Sequence, residues 1–150
     1  MPEYGTYQEA CYKAEHVLDR KTRVFTDIRQ VRAYVDALVE SEWFYDRWPR
    51  LETVTVHRKG SGATWSQARG HGPECGEIFL APKALDLATV LHELAHLCCS
   101  ADEGHGLLFV ETLLTLVRHE IGFQAWADLY YALRSTKPFA YIREGIPCNA

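Results

Sequence analysis

The chain has 150 residues, enough for one domain and short of two ordinary ones, and at this length about 70% of the unfolded surface can be buried without a disulfide scaffold. Its composition, 47% hydrophobic, 12% aromatic and 24% charged, excludes disordered and low-complexity classes. The formal net charge of −4 is unevenly placed: residues 1–75 hold 11 basic and 11 acidic side chains, residues 76–150 hold 5 and 9, and neither half has the basic excess of a phosphate-backbone binder.

Taken in chain order, Thr6-x-x-Glu9 is a capping box, and Tyr7, Cys11, Ala14 and Leu18 follow at helical spacing, predicting a helix from about Thr6 to Asp19. Arg20, Lys21, Arg23, Arg29 and Arg32 form a modest basic cluster, of the kind that usually lies on a solvated helix face. Asp27 opens a second helix with Ile28, Val31, Val35, Leu38 and Val39 on one stripe, expected to run on through Trp43–Trp48 and stop before Pro49. Those aromatics are expected to fill core rather than to cover a ligand. Thr53–Arg58 alternates and is β-branched, hence a strand. Gly60-Ser61-Gly62 reads as a hairpin turn that returns Ala63–Arg69 antiparallel to it. A third short strand, Glu77–Leu80, precedes Pro82. A helix with Leu87, Leu91, Leu94, Ala95 and Cys98 on its buried stripe ends near Ser100, a very apolar helix carries Phe109 to Val117 and breaks at Gly122, and a last helix runs from about Gln124 to Arg134. The segment from Pro138 to Ala150 carries no clear pattern. The order predicts an α+β fold, a single domain with a small, mostly antiparallel three-stranded sheet packed on helices.

The five cysteines, Cys11, Cys75, Cys98, Cys99 and Cys148, form no CxxC pair and are odd in number, which points to reduced thiols rather than a disulfide framework. No apolar run approaches the roughly 20 residues of a membrane span, and the first residues lack the apolar core and cleavage site of a signal peptide. A cytoplasmic protein without a membrane partner is expected.

His92-Glu93-Leu94-Ala95-His96 is an HExxH sequence within the apolar helix. Positions i and i+4 share a helix face with Cβ atoms about 5–6 Å apart, so two imidazoles can converge on one metal ion, and the glutamate projects beside it. With seven histidines in the chain, chance occurrence of the pattern is about 3%. Zinc with an open catalytic position needs a third protein ligand. Asp102 stands six residues after His96, Glu103 follows it, His105 lies between Gly104 and Gly106, and Cys99 is three residues beyond His96 on the same helical face. The flanking glycines favour His105, with Asp102 as its rival. His119, Arg118, Tyr130 and Tyr131 are donors further along that more often serve as ordinary surface or packing residues.

His105-Gly106-Leu107-Leu108-Phe109, an HGxxF sequence a short loop after HELAH, resembles the minimal zincin-like metallopeptidases, among them the SprT-like group. The chain is also similar to a small family of HExxH metallohydrolases from actinobacteria and their phages, through Tyr12-Lys13-Ala14-Glu15 and the strand-to-proline step Ile78-Phe79-Leu80-Ala81-Pro82. The resemblance covers residues 92–109 closely and about 7–134 loosely. It implies a zincin-like domain with HExxH on its central helix, a Zn2+ cofactor held by His92, His96 and His105, Glu93 as general base, and a peptide or protein substrate. The C-terminal CxxC ribbon of some SprT-like proteins is missing from the chain, so nucleic acid is not an expected partner. Two other classes stay open: a non-catalytic module stabilised by zinc with a fourth side chain closing the metal, and a nucleic-acid-associated processing protease.

Overall fold

A computed structural model describes residues 2–19 and 21–144. It holds six α-helices and three strands among those residues, and the described residues divide into two compact units, one of residues 23–100, the other of residues 2–19, 21–22 and 101–144. The architecture is α+β. No helix is long and apolar enough to cross a membrane.

In the first unit α2 spans Ile28–Glu40, α3 Glu42–Arg47, β1 Thr53–Arg58, β2 Gln67–His71, β3 Cys75–Leu80 and α4 Leu87–Cys98. Asp27 caps α2, its side chain accepting from Gln30 N–H at 3.0 Å, and the stripe Val31, Val35, Leu38 and Val39 is buried. The expected single helix to Pro49 is broken at Ser41. Its backbone is extended, and its hydroxyl donates to Leu38 O at 2.6 Å while accepting from Phe44 N–H at 3.2 Å. One side chain thus closes α2 and opens α3, satisfying end groups of both helices. Of the aromatic run only Phe44 is fully enclosed; Trp48 lies against it with ring centroids 4.9 Å apart, and Tyr45 is exposed.

The sheet order is β1-β3-β2, with β1 and β3 parallel and β2 and β3 antiparallel. The expected hairpin between Thr53–Arg58 and Ala63–Arg69 does not form, and the sheet is mixed rather than mostly antiparallel. A turn does occur there, with Ala63 N–H donating to Gly60 O at 3.0 Å, but the chain beyond it pairs with β3. The true hairpin is β2–β3, turning through Gly72 at φ 78°, a conformation that favours glycine. Val54, Val56, Ile78 and Leu80 point to the buried face, where α2 covers β1 and α4 covers β2 and β3. Gly76 lies under α4: a Cβ there would stand 2.6 Å from the Leu97 side chain.

In the second unit α1 spans Pro2–Glu15 and continues as a 3₁₀ turn, His16–Leu18. A second 3₁₀ turn, Ala101–Glu103, leads through Gly104–Gly106 to α5, Leu107–Glu120, and α6 covers Phe123–Arg134. Phe109, Val110, Leu113, Leu114, Leu116 and Val117 on α5 are enclosed, and α6 contributes Leu129 and Leu133. Glu111 is buried on α5, and Arg143 answers it from beyond α6: Arg143 N–H and Nη2 donate to its two carboxylate oxygens, each at 3.1 Å, and Nε joins them. Such pairing lets a carboxylate sit in an apolar core.

Candidate metal-binding residues

The start of α4 is fixed from two sides. Asp86 caps it, accepting from Thr89 N–H at 2.9 Å, and the preceding chain is pinned to residues 23–25 by Phe25 N–H to Leu85 O at 2.7 Å and Leu87 N–H to Arg23 O at 2.8 Å. Leu91, Leu94 and Ala95 then seat the helix in the core, which leaves His92 and Glu93 buried as well, each 5% exposed. Polar groups at that depth need partners, and His92, Glu93 and His96 all have them. His92 and His96 face each other one turn apart, ring centroids 5.0 Å apart and edge to face, as the four-residue spacing requires.

Cys99 does not extend this face. It is the C-cap of α4, with extended backbone (φ −110°, ψ 165°), so the helix stops one residue before it. The Cys98 thiol is pushed up from its ordinary pKa by burial, with the neighbouring Cys99 adding to the effect. A raised thiol pKa disfavours the thiolate that ligates metals. Cys11, Cys75, Cys98 and Cys99 are free thiols; Cys148 lies outside the described residues.

His105 sits in the other unit, in the turn that opens α5. Gly104 takes φ 57° to make the reversal. Glu103 then stitches the turn to the helix: its Oε1 accepts from Leu108 N–H at 2.7 Å and from Phe109 N–H at 3.4 Å, and its backbone oxygen accepts from Gly106 N–H at 3.0 Å. Gly106 has to be glycine for this, because a Cβ would stand 2.7 Å from Glu103 Oε1 and 3.1 Å from Glu103 O. The His105 ring is held between Phe109, one helical turn on at 5.0 Å, and Tyr12 of α1 at 5.2 Å. The His and Phe ends of the HGxxF sequence are therefore one ring contact, and Glu103 is occupied as a helix cap. Asp102 is exposed on the 3₁₀ turn. The cap role of Glu103 was not read from sequence; its only signal is an acid four residues before the first full turn of an apolar helix.

The remaining donors are engaged elsewhere. The Arg118 guanidinium lies over the Trp126 ring at 4.8 Å, His119 Nδ1 is 2.6 Å from Glu120, and Arg134 donates to the Tyr130 hydroxyl at 3.2 Å, while Tyr131 is exposed.

The described residues include groups of three His, Cys and Glu side chains able to hold one metal ion, each side chain offering one ligand atom and all such atoms within 4.8 Å of one another. What the fold and these residues define is therefore an α+β protein with candidate metal-binding groups. Comparison of the chain with known protein families, with curated proteins and with solved structures finds no match.

Proposed function

We propose that the chain is a zinc-dependent hydrolase of the metallopeptidase type, in which His92, His96 and His105 hold the ion and Glu93 is the general base. The observation that carries this reading is the His92–His96 pair, rings edge to face one turn apart on a buried helix, with a buried glutamate between them in sequence. Three imidazoles are a donor set that suits Zn2+, and a three-ligand set leaves a coordination position open. Only eight residues lie between His96 and His105, so the chain itself limits how far the third ring can be.

Bound zinc supplies a Lewis acid and a water acidic enough to lose a proton near neutral pH. With zinc bound, the Glu93 carboxylate would accept the proton of the attacking water and pass it to the departing amine nitrogen as the C–N bond breaks. Burial of Glu93 keeps bulk water from competing for the proton. The sheet edges are β1 and β2, whereas β3 is central. An extended peptide would add to β2, by backbone pairing.

The alternative is a closed, structural zinc in which a fourth side chain completes the site. The deciding experiment is a peptide-library cleavage assay on zinc-loaded protein, repeated with chelator, together with the coordination number of the bound metal by X-ray absorption. Chelator-sensitive cleavage with three protein ligands is the expected result; a four-ligand closed site without cleavage would replace it with the structural reading.

A further inference from the structure

The two edges of the sheet are not equally open. Thr53 N–H donates to Glu74 O at 3.1 Å, and Lys59 N–H, just past β1, donates to Leu80 O at 2.8 Å. In this parallel pair the odd-numbered residues of β1 therefore turn their backbone groups toward β3, and the even-numbered ones turn theirs outward. Val56 is one of the outward residues, and its carbonyl accepts from Arg32 Nε of α2 at 2.9 Å. A strand arriving at β1 would have to displace that guanidinium. At β2 nothing comparable intervenes: among the described residues, the backbone of Gln67–His71 is bonded only through its ladder to β3. A row of unpaired backbone donors and acceptors is a template for a further strand.

The side chains along that edge differ between the two faces. Ala68 and Gly70 pair with Ile78 and Gly76 and so point to the face that α4 covers. Both are small, and a Cβ on Gly70 would meet nothing nearer than Gly72 O at 3.9 Å, so β2 itself puts no bulk in the way of an added strand on that side. Gln67, Arg69 and His71 point to the open face. There the Glu77 carboxylate, directly opposite Arg69, is already taken: His57 Nε2 is 2.7 Å from one of its oxygens, and His71 Nε2 is in contact with the other. Arg69 stays exposed, its guanidinium over the Phe79 ring at 5.9 Å from the centroid, and among the described residues it pairs with no carboxylate. The middle of the open edge thus carries a cation steadied by a ring and answered by no acid.

We infer that the extended peptide that adds to β2 is selected by charge, through an acidic side chain at the residue set opposite Arg69 on the open face. The inference rests on the metallopeptidase reading for its consequence in cleavage, and on the sheet alone for binding. An added strand alternates its side chains between the two faces, and the residue facing Arg69 across the new ladder has its Cβ about 4.5–5.5 Å from that of Arg69. A carboxylate there meets a guanidinium fork that no internal acid neutralises, whereas a lysine meets like charge. The pair is exposed, so the discrimination is modest, about 2–5-fold in affinity for opposed charges across two strands. Main-chain pairing supplies the remainder of the affinity and does not depend on that residue.

The test uses three short, end-blocked peptides of alternating threonine and valine whose central residue is glutamate, glutamine or lysine. Binding to the zinc-loaded full chain carrying Glu93→Gln is followed by backbone amide NMR, and cleavage by the zinc-loaded wild type is followed in parallel. The amides of β2 are expected to shift and those of β1 to stay. The glutamate peptide is expected to bind about 2–5-fold tighter than the glutamine peptide, with the lysine peptide weakest. That spread should shrink as salt rises from about 0.01 M to about 1 M. Arg69→Gln should bring the three affinities together, and Arg69→Glu, at an exposed position, should reverse their order. An unchanged order in Arg69→Glu, shifts centred on β1, or no binding of any of the three peptides overturns the inference. Cleavage without a charge preference overturns it and leaves the proposed function standing. Charge-selected binding to β2, with no chelator-sensitive cleavage in the peptide-library assay, does the reverse.

Discussion

Glu103→Ala isolates the device that holds His105. The substitution removes the two bonds its carboxylate accepts, from Leu108 N–H at 2.7 Å and Phe109 N–H at 3.4 Å, and keeps the backbone bond from Gly106. One well-formed bond to a helix-start N–H is worth about 1 kcal/mol on the scale of cap substitutions. Losing a negative charge beside the first turn of α5 adds about 0.3–1 kcal/mol, and the 3.4 Å contact contributes little. The total is about 1–2 kcal/mol. For a chain of 150 residues each kcal/mol moves Tm by about 2–4 °C, so the metal-free variant should melt about 2–8 °C lower by calorimetry. Glu103→Gln keeps an acceptor without the charge and should fall between the two. In the zinc-loaded state the loosened turn should weaken zinc about 10–100-fold, the range for groups that orient a ligand. If Glu103→Ala leaves metal-free Tm within about 1 °C of wild type but abolishes zinc binding, Glu103 is a ligand and not a cap, and the account of the turn is wrong.

Glu93→Gln preserves the shape of the buried side chain but cannot take a proton, so zinc content and folding should be nearly unchanged while hydrolysis disappears; most of the activity surviving on any cleaved peptide would refute the general-base role. His105→Ala should lose stable zinc binding and Asp102→Ala should not, because Asp102 is exposed on the 3₁₀ turn; the opposite ranking in a zinc titration would reassign the third ligand. The Glu77 carboxyl is held below its usual range, chiefly by the His71 hydrogen bond, with His57 adding to it. Because the folded-state value is the lower one, the contribution to stability is present above the ordinary carboxyl pKa near 4.5 and is lost as pH falls through the lowered value. In chelator-stripped protein, an NMR titration of Glu77 with its midpoint at or above 4.5 would contradict this.

Where local chemistry decided the structure, the sequence was readable. The α2 stripe of Val31, Val35, Leu38 and Val39 is buried as its spacing predicts, and HELAH lies on a helix whose inward positions are Leu91, Leu94 and Ala95. The expected first helix is displaced, running from Pro2 to Glu15 with a 3₁₀ turn after it, and helix ends are the part that fraying blurs most. The break at Ser41 was hidden because no proline or glycine marks it; a hydroxyl bonded in both directions does the work. The sheet was misread for a deeper reason. Gly60-Ser61-Gly62 does turn the chain, but nothing in residues 53–69 can reveal that a strand from further along will lie beside β1, since a parallel partner is specified by contacts distant in sequence. The same limit applies to Glu77, unremarkable as an isolated acid and central only once His57 and His71 arrive from two other strands.

The strand order also sets a schedule for assembly. As the chain emerges in order, β1 is complete with no partner to pair with, because β3 is still some seventeen residues away when Arg58 has been made. The antiparallel β2–β3 hairpin closes through a short turn and can form first, in microseconds once its residues exist. The edge of β3 is then the template onto which β1 docks, a step whose loop, residues 59–74, costs entropy only logarithmically in its length. Lengthening that connection is consequently tolerated far better than interrupting the hairpin turn at Gly72, where the positive φ must be in place before the template exists.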